Sequence, residues 1–231
     1  MFRPLDTLIR SKDWIWWAMT VMPMFPLGSV LLPAMPLPLR IFEPRYLKLL
    51  EDLMGSENPE FGVVLIERGT EVGGGDQRMQ IGTIASVINI GTTEEFYGLE
   101  SVGTQRFKVT TWLPDDPYPV AVIEFIPDLI WDDSLLEAKN QLEVRVRQLL
   151  AFASEFTNLQ FGAAVELSDD PMDSCWQLAG ILPIGELDQL DLLSSESAAE
   201  LIARTNEIVT TADQTLRSIM EQQGDWDAPN L

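Results

Sequence analysis

Residues 22–46, "MPMFPLGSVLLPAMPLPLRIFEPRY", limit the possible folds more than any other stretch of this chain. Six prolines (Pro23, Pro26, Pro33, Pro36, Pro38 and Pro44) stand among apolar residues that otherwise read as strand. Proline has no N–H to give to a ladder, so within sheets it is confined to edges, bends and crossings. The first five are expected to break the segment into short, bent strands and to blunt an edge against unwanted pairing. A second reading makes the same segment a binding surface, with Met35 and Leu37 exposed beside the prolines.

The β pattern continues to residue 128. "FGVVLIER" (61–68), "QIGTIASVINI" (80–90), "EFYGLESVG" (95–103), "RFKVTTWL" (106–113) and "YPVAVIEFI" (118–126) are short apolar or alternating runs. Ile84, Val87 and Ile88 are the expected core contributors of the second run. Gly73-Gly74-Gly75-Asp76, Gly91-Thr92-Thr93 and Pro114-Asp115-Asp116-Pro117 supply the turns. Strands so spaced imply a barrel or a sandwich. One helix interrupts them at 43–55. Pro44 sits in its first turn, Tyr46, Leu47, Leu50 and Leu53/Met54 form one face, and Gly55 suits a left-handed cap.

Beyond Pro127 the apolar period changes from 2 to about 3.6. Ser134-Leu-Leu-Glu137 reads as a capping box, followed by Leu135, Leu142, Leu149 and Phe156 every seven residues with Val146 and Ala153 between them. Further helices are expected from Asp170-Pro171, over about 185–193, and from the capping box Ser197-Ala-Ala-Glu200. The last should bury Leu201, Ile208, Ala212, Leu216 and Ile219. The fold class is therefore α+β. The expected organisation is an extension over 1–22 (or a start at Met22 or Met24), a β-rich domain over 23–128, a small helical bundle over 129–223 and a tail over 224–231.

Charge narrows the partners. The 231 residues carry a formal net charge of −21 with no histidine. Residues 24–128 hold 7 Lys/Arg against 15 Asp/Glu, and residues 129–231 hold 5 against 19. Such a surface repels phosphate backbones, so nucleic acid is not an expected partner. The nine-residue apolar run "WIWWAMTVM" (14–22) is too short to span a bilayer, and no A-x-A cleavage site follows it. Neither membrane insertion nor export is expected. A lone cysteine, Cys175, makes the reducing cytoplasm the default location.

"MFPLGSVLLPAMPLPLRIFEPRYLKLLEDLM", together with "FGVVLIERG", "IGTIASVINI", "GLESVGTQRFKV", "YPVAVIEF" and "LAGILPIGELDQLDLLSSESAAELI", resembles the Lon N-terminal domain family from Met24 to about Met220. The resemblance implies a PUA-like β-barrel or pseudo-barrel at the front, a helical pack behind it, and recognition of protein substrates or partners. In Lon an ATPase and a Ser–Lys peptidase follow this domain; this chain departs from that plan by stopping after the helices, and a stand-alone form is expected.

The residues themselves offer no bond-breaking chemistry. Without histidine there is no Ser-His-Asp or Cys-His arrangement. None of Lys12, Lys48, Lys108 and Lys139 follows a glycine as a phosphate-binding loop requires, and the glycine-rich "EVGGGDQ" (71–77) holds no lysine. The acidic pairs Glu94-Glu95, Asp115-Asp116, Asp132-Asp133 and Asp169-Asp170 lie where turns and helix starts favour carboxylates. Zinc would need several Cys/His ligands. No catalytic residue, cofactor or metal is expected. Arg40, Glu43 and Arg45 surround a strand-to-helix turn that an ion pair could fix. Met35, Leu37 and Met54 are the candidate protein-binding surface. The expected activity is non-enzymatic binding of unfolded or partner polypeptides. Delivery of clients to a separate ATP-dependent protease is the alternative, and RNA binding, which some PUA-like barrels perform, is opposed by the net −8 of residues 24–128.

Overall fold

The first strand changes neighbours at its prolines. In the computed structural model, which describes residues 19–69, 77–92 and 96–224, strand β1 spans Met19–Leu27. Its first half, Met19–Pro23, pairs antiparallel with β6 (Val120–Phe125), while Met24–Leu27 pairs parallel with β3 (Glu60–Arg68). The Met24 amide donates to the Pro119 carbonyl at 2.8 Å. By strand alternation, the nitrogen of Pro23 faces the side on which its half has no neighbour, and that of Pro26 faces away from β3. Neither missing N–H costs a ladder bond. The prolines mark a crossing inside the sheet, as well as the edge described below.

Five more strands complete the sheet: β2 (Pro36–Ile41), β3, β4 (Gln77–Thr92), β5 (Tyr97–Trp112) and β6, in the order β2-β5-β4-β3-β1-β6. A further β5–β6 pairing links the ends of the five-strand run, so that β5, β4, β3, β1 and β6 form a closed circuit. The runs expected at 95–103 and 106–113 are one continuous strand, because both flanks of Gly103 stay paired to β4. Two β-bulges shift the β4–β5 register, one between Val87 and Asn89. That bulge overturns the expected alternation: Ile84 is buried, Val87 half-buried, and Ile88 turned out to solvent at 68% exposure.

Met22, Met24, Val64, Ile84, Phe107, Val109, Ala121 and Ile123 form one apolar cluster, with Trp112 against it. On the other face of β1, Phe25 stacks on Tyr46 of α1 (Pro44–Met54) at 4.0 Å and meets Phe61 at 6.0 Å. Burial on both faces explains why residues 24–27 of β1 and 61–65 of β3 read as unbroken apolar runs. Helix α1 begins on Pro44 as expected and buries Tyr46, Leu49, Leu50 and Leu53. Leu49 takes the place expected for Leu47, and Met54 is exposed. Gly55 closes the helix at φ −84° rather than in a left-handed conformation.

Contacts divide the chain into two units. Among the described residues, one comprises those up to Leu31 with Pro36–Asp128; the other comprises Leu32–Met35 with those from Leu129 onward. The second unit holds α2 (Leu136–Ala153), α3 (Pro171–Gly180), α4 (Glu186–Leu193) and α5 (Ala198–Gly224). A short 3-10 turn, Asp133–Leu135, precedes α2, and Asp132 rather than Ser134 caps it by accepting from the Ser134 amide. Helix α2 ends at Ala153, so Phe156 lies outside it, 53% exposed, while Leu150 joins the buried row. Asp170 caps α3 by accepting from the Met172 and Asp173 amides. On α5, Ser197 Oγ accepts from the Glu200 amide and the Glu200 carboxylate accepts from the Glu196 amide. Its buried face is Leu201, Ile202, Thr205 and Val209; Ile208 and Ala212 are only half covered. The tryptophan-rich start, the glycine-rich loop, Glu94-Glu95, the tail after Gly224, and the side chains of Leu216 and Ile219 lie outside the described residues.

Candidate functional site

The turn from β2 into α1 does not join its three charged residues. Arg45 Nε donates to Glu43 Oε2 at 3.1 Å with both side chains largely covered, and its guanidinium lies 4.4 Å from the Tyr46 ring centre. Arg40 is not part of that pair; it lies over the Phe96 ring at 5.2 Å. Behind the turn, Lys48 bridges Glu51 and Asp52, and Asp52 accepts from the Tyr118 hydroxyl at 2.8 Å. The hydrogen bond from Lys48, then that from Tyr118, lowers the Asp52 pKa. Burial, with the carboxylate beside it, pushes the Tyr118 phenol up to about 12. The network ties α1 to the segment leading into β6.

Two clefts flank this turn, and Pro38, Leu39 and Arg40 line part of each. The smaller, about 170 Å³, is walled by Phe25, Ile41, Phe42 and Tyr46. The larger, about 440 Å³, adds Phe96, Asn89 and Glu100, with the Asn89 amide donating to Glu100 at 3.3 Å. Phe42 stands 60% exposed at the mouth of the smaller cleft. The sequence reading missed it, although a phenylalanine directly after the last paired residue, Ile41, is off the strand's buried face.

Strand β2 has one sheet neighbour among the described residues, β5, so its other edge is open. Proline cannot donate to β5, and alternation turns the nitrogens of Pro36, Pro38 and Arg40 toward that open edge. Only one of the three carries an N–H. Capture of a peptide as an added strand needs a row of donors, which this edge lacks. A ligand here finds one backbone donor, Arg40, in that row, so side chains must supply most of its contacts.

The three expected surface residues have different fates. Met35 is 7% exposed and lies against Gly180, so it is not a surface residue. Its turn, with Ala34 at φ 58°, carries it into the helical unit. Leu37 is half-buried on β2. Met54 is 66% exposed at the end of α1.

Several titratable groups elsewhere are engaged structurally. Cys175 is 1% exposed, and burial pushes its thiol up to about 11. Asp115 receives both guanidinium nitrogens of Arg78, Asp133 accepts from Trp131, and Asp132 and Asp170 are caps. Among the described residues no three Cys, Asp or Glu side chains are grouped to hold a metal ion. No described helix is long and apolar enough to cross a membrane.

The family model described as the ATP-dependent protease La (LON) substrate-binding domain matches residues 21–211. The chain belongs to the Lon substrate-binding domain family. That domain is non-catalytic. Lon protease 2 of Sorangium cellulosum (strain So ce56) is 34% identical over 120 residues, covering 50% of this chain and 15% of its own. A Lon protease of Anaeromyxobacter dehalogenans (strain 2CP-C) is 32% identical over 151 residues, covering 64% of this chain and 17% of its own. The chain thus matches under a fifth of the length of these Lon relatives. The crystal structure of a Lon N-terminal domain protein from Xanthomonas campestris superposes with a TM-score of 0.58 at 27% identity, covering 83% of this chain and 98% of that one. The N-terminal domain of Mycobacterium avium complex Lon protease gives the same score at 13% identity, a likeness of fold alone.

Proposed function

We infer that this Lon-type domain is a non-enzymatic module that binds exposed apolar segments of polypeptides, with the strand unit built as a PUA-like barrel. The observation that carries the reading is the match of residues 21–211 to a substrate-binding domain. The geometry agrees with it. An exposed Phe42 at a small apolar cleft, beside an edge stripped of donors, suits loose capture by side chains. Contacts of this kind depend on apolar area and discriminate little between sequences, as a binder of unfolded chains requires. The net −8 of residues 24–128 opposes an RNA ligand.

Delivery of captured chains to an ATP-dependent protease is a second reading, favoured by the names of the relatives, which are Lon proteases. Co-purification of such a protease with the tagged chain is its check.

The binding reading is tested with a fluorescently labelled, permanently unfolded protein and the full chain. Binding above that of a folded acidic control is expected, with Phe42→Ser weakening it by about three- to tenfold. Equal signal from the two proteins defeats the reading.

A further inference from the structure

A second apolar groove lies wholly within the helical unit. It has a volume of about 590 Å³ and runs between α2, the α3–α4 turn and α5. Leu149 and Ala153 of α2, Ile184 of the turn, and Ile208 and Ala212 of α5 supply its apolar surface. The α5 row explains why it is there. The helix buries Leu201, Ile202, Thr205 and Val209, which leaves Ile208 and Ala212 as a neighbouring apolar row with no described helix packed over it.

Two features of the wall define the occupant. First, the hydroxyls of Thr211 and Thr215 donate to the carbonyls of Glu207 and Thr211 on their own helix, at 3.0 and 2.8 Å. They are poorly placed to read a polar ligand, so the middle of the groove suits apolar groups. Second, Asp188 and Glu207 stand exposed on the lining, and no described cation neutralises either. Lys139 and Arg147 pair with Glu143, and Arg204 pairs with Asp191 and Glu200. Arg145 donates to Asn206 and Thr210. In a half-chain with 5 Lys/Arg against 19 Asp/Glu, the groove offers apolar surface beside negative charge that no described cation compensates.

We propose that this groove docks an amphipathic helical segment of another polypeptide, with apolar side chains on one face and Lys or Arg at its flanks. Apolar anchors at i, i+3, i+4 and i+7 fill a trough between helices in this mode of recognition, and the flanking cations meet Asp188 and Glu207. The proposal rests on the polypeptide-binding reading and assigns it a second, charge-selective site. An anionic lipid or a nucleic acid is disfavoured by the same carboxylates.

The test measures anisotropy of three labelled helical peptides with the full chain: leucines at those spacings with lysine flanks, the same leucines with glutamate flanks, and serines in place of leucine with lysine flanks. The lysine-flanked leucine peptide should bind at least about tenfold more tightly than the other two. The surface double variant Asp188→Lys/Glu207→Lys leaves the packed helices untouched, and it should reverse the preference between lysine and glutamate flanks. Ile208→Glu should weaken all leucine peptides. If the leucine peptides bind and the double variant leaves their ranking unchanged, the groove is not the site, although polypeptide binding stands. If none binds but the unfolded protein does, the groove proposal alone fails. If neither binds, both readings fall.

Discussion

Gly62 and Gly82 stand where the strand unit has no room for a side chain. A Cβ on Gly82 would lie 2.1 Å from the Val63 carbonyl oxygen and 2.7 Å from Phe107 Cζ; one on Gly62 would meet Met24 Sδ at 2.6 Å. A backbone oxygen in a paired strand cannot step aside, so Gly82→Ala should lower unfolding free energy by about 2 kcal/mol or more. Gly91→Ala, with no described atom within 4 Å of the new methyl, should change it by less than about 0.5 kcal/mol. Urea denaturation compares the two, and equal midpoints would contradict the packing described here. At the β2–α1 turn, Glu43→Ala removes the acceptor of the Arg45 Nε bond and should lower stability by about 1 kcal/mol. An unchanged melting temperature would show that the pair does not hold the turn. The sequence placed Arg40, Glu43 and Arg45 at one turn. It could not show that Arg40 goes to Phe96, a ring 56 positions away brought close only by the β2–β5 pairing.

Among the elements, α2 carries a charge cluster whose pH dependence follows from its geometry. Glu143 accepts from Lys139 one turn back and from Arg147 one turn on. The hydrogen bond from Lys139, and less strongly that from Arg147, lowers its pKa below the ordinary 4.5 despite partial burial. A carboxylate lowered on folding contributes stability that is full above its unfolded pKa and fades as pH falls through the folded one. Glu143→Gln should therefore melt below the parent at neutral pH, with the gap closing in acid below about 4.5. A gap of constant size across that range would remove the ion pairs as its cause. The elements were the most legible level of the chain, because caps and periods act within a few residues. Asp170-Pro171 and Ser197-Ala-Ala-Glu200 start helices where their sequence says. Ser134 lost its cap to Asp132, since a 3-10 turn intervened. Ile88 left the core at a bulge, which period-2 counting does not register.

At the scale of the whole molecule, the helical unit contains four residues from the middle of the strand sequence, Leu32–Met35. Met35 packs against Gly180, and Gln177 donates to the Ala34 carbonyl at 3.2 Å. Truncating a buried methionine costs about 2–5 kcal/mol, so Met35→Ala in the full chain should loosen a unit whose residues outside Leu32–Met35 all lie beyond Asp128. Cys175 reports the opening: it is 1% exposed, its thiol is pushed up to about 11, and it reacts only when its surroundings part. Thiol labelling of Met35→Ala should run at least about tenfold faster than that of the parent. Matching rates would deny the segment its role. The sequence by itself determined which stretches are strand and which helix, the prolines that deny β2 a donor edge, and the strongly acidic composition. All of these act through the residue itself or its nearest neighbours along the chain. Only the tertiary structure decided that β1 crosses from β6 to β3 at its prolines, that Met35 is buried while Phe42 is exposed, and that Ile208 and Ala212 line an open groove. Each of those depends on which distant segment covers a given face, a choice made by contacts that no local pattern records.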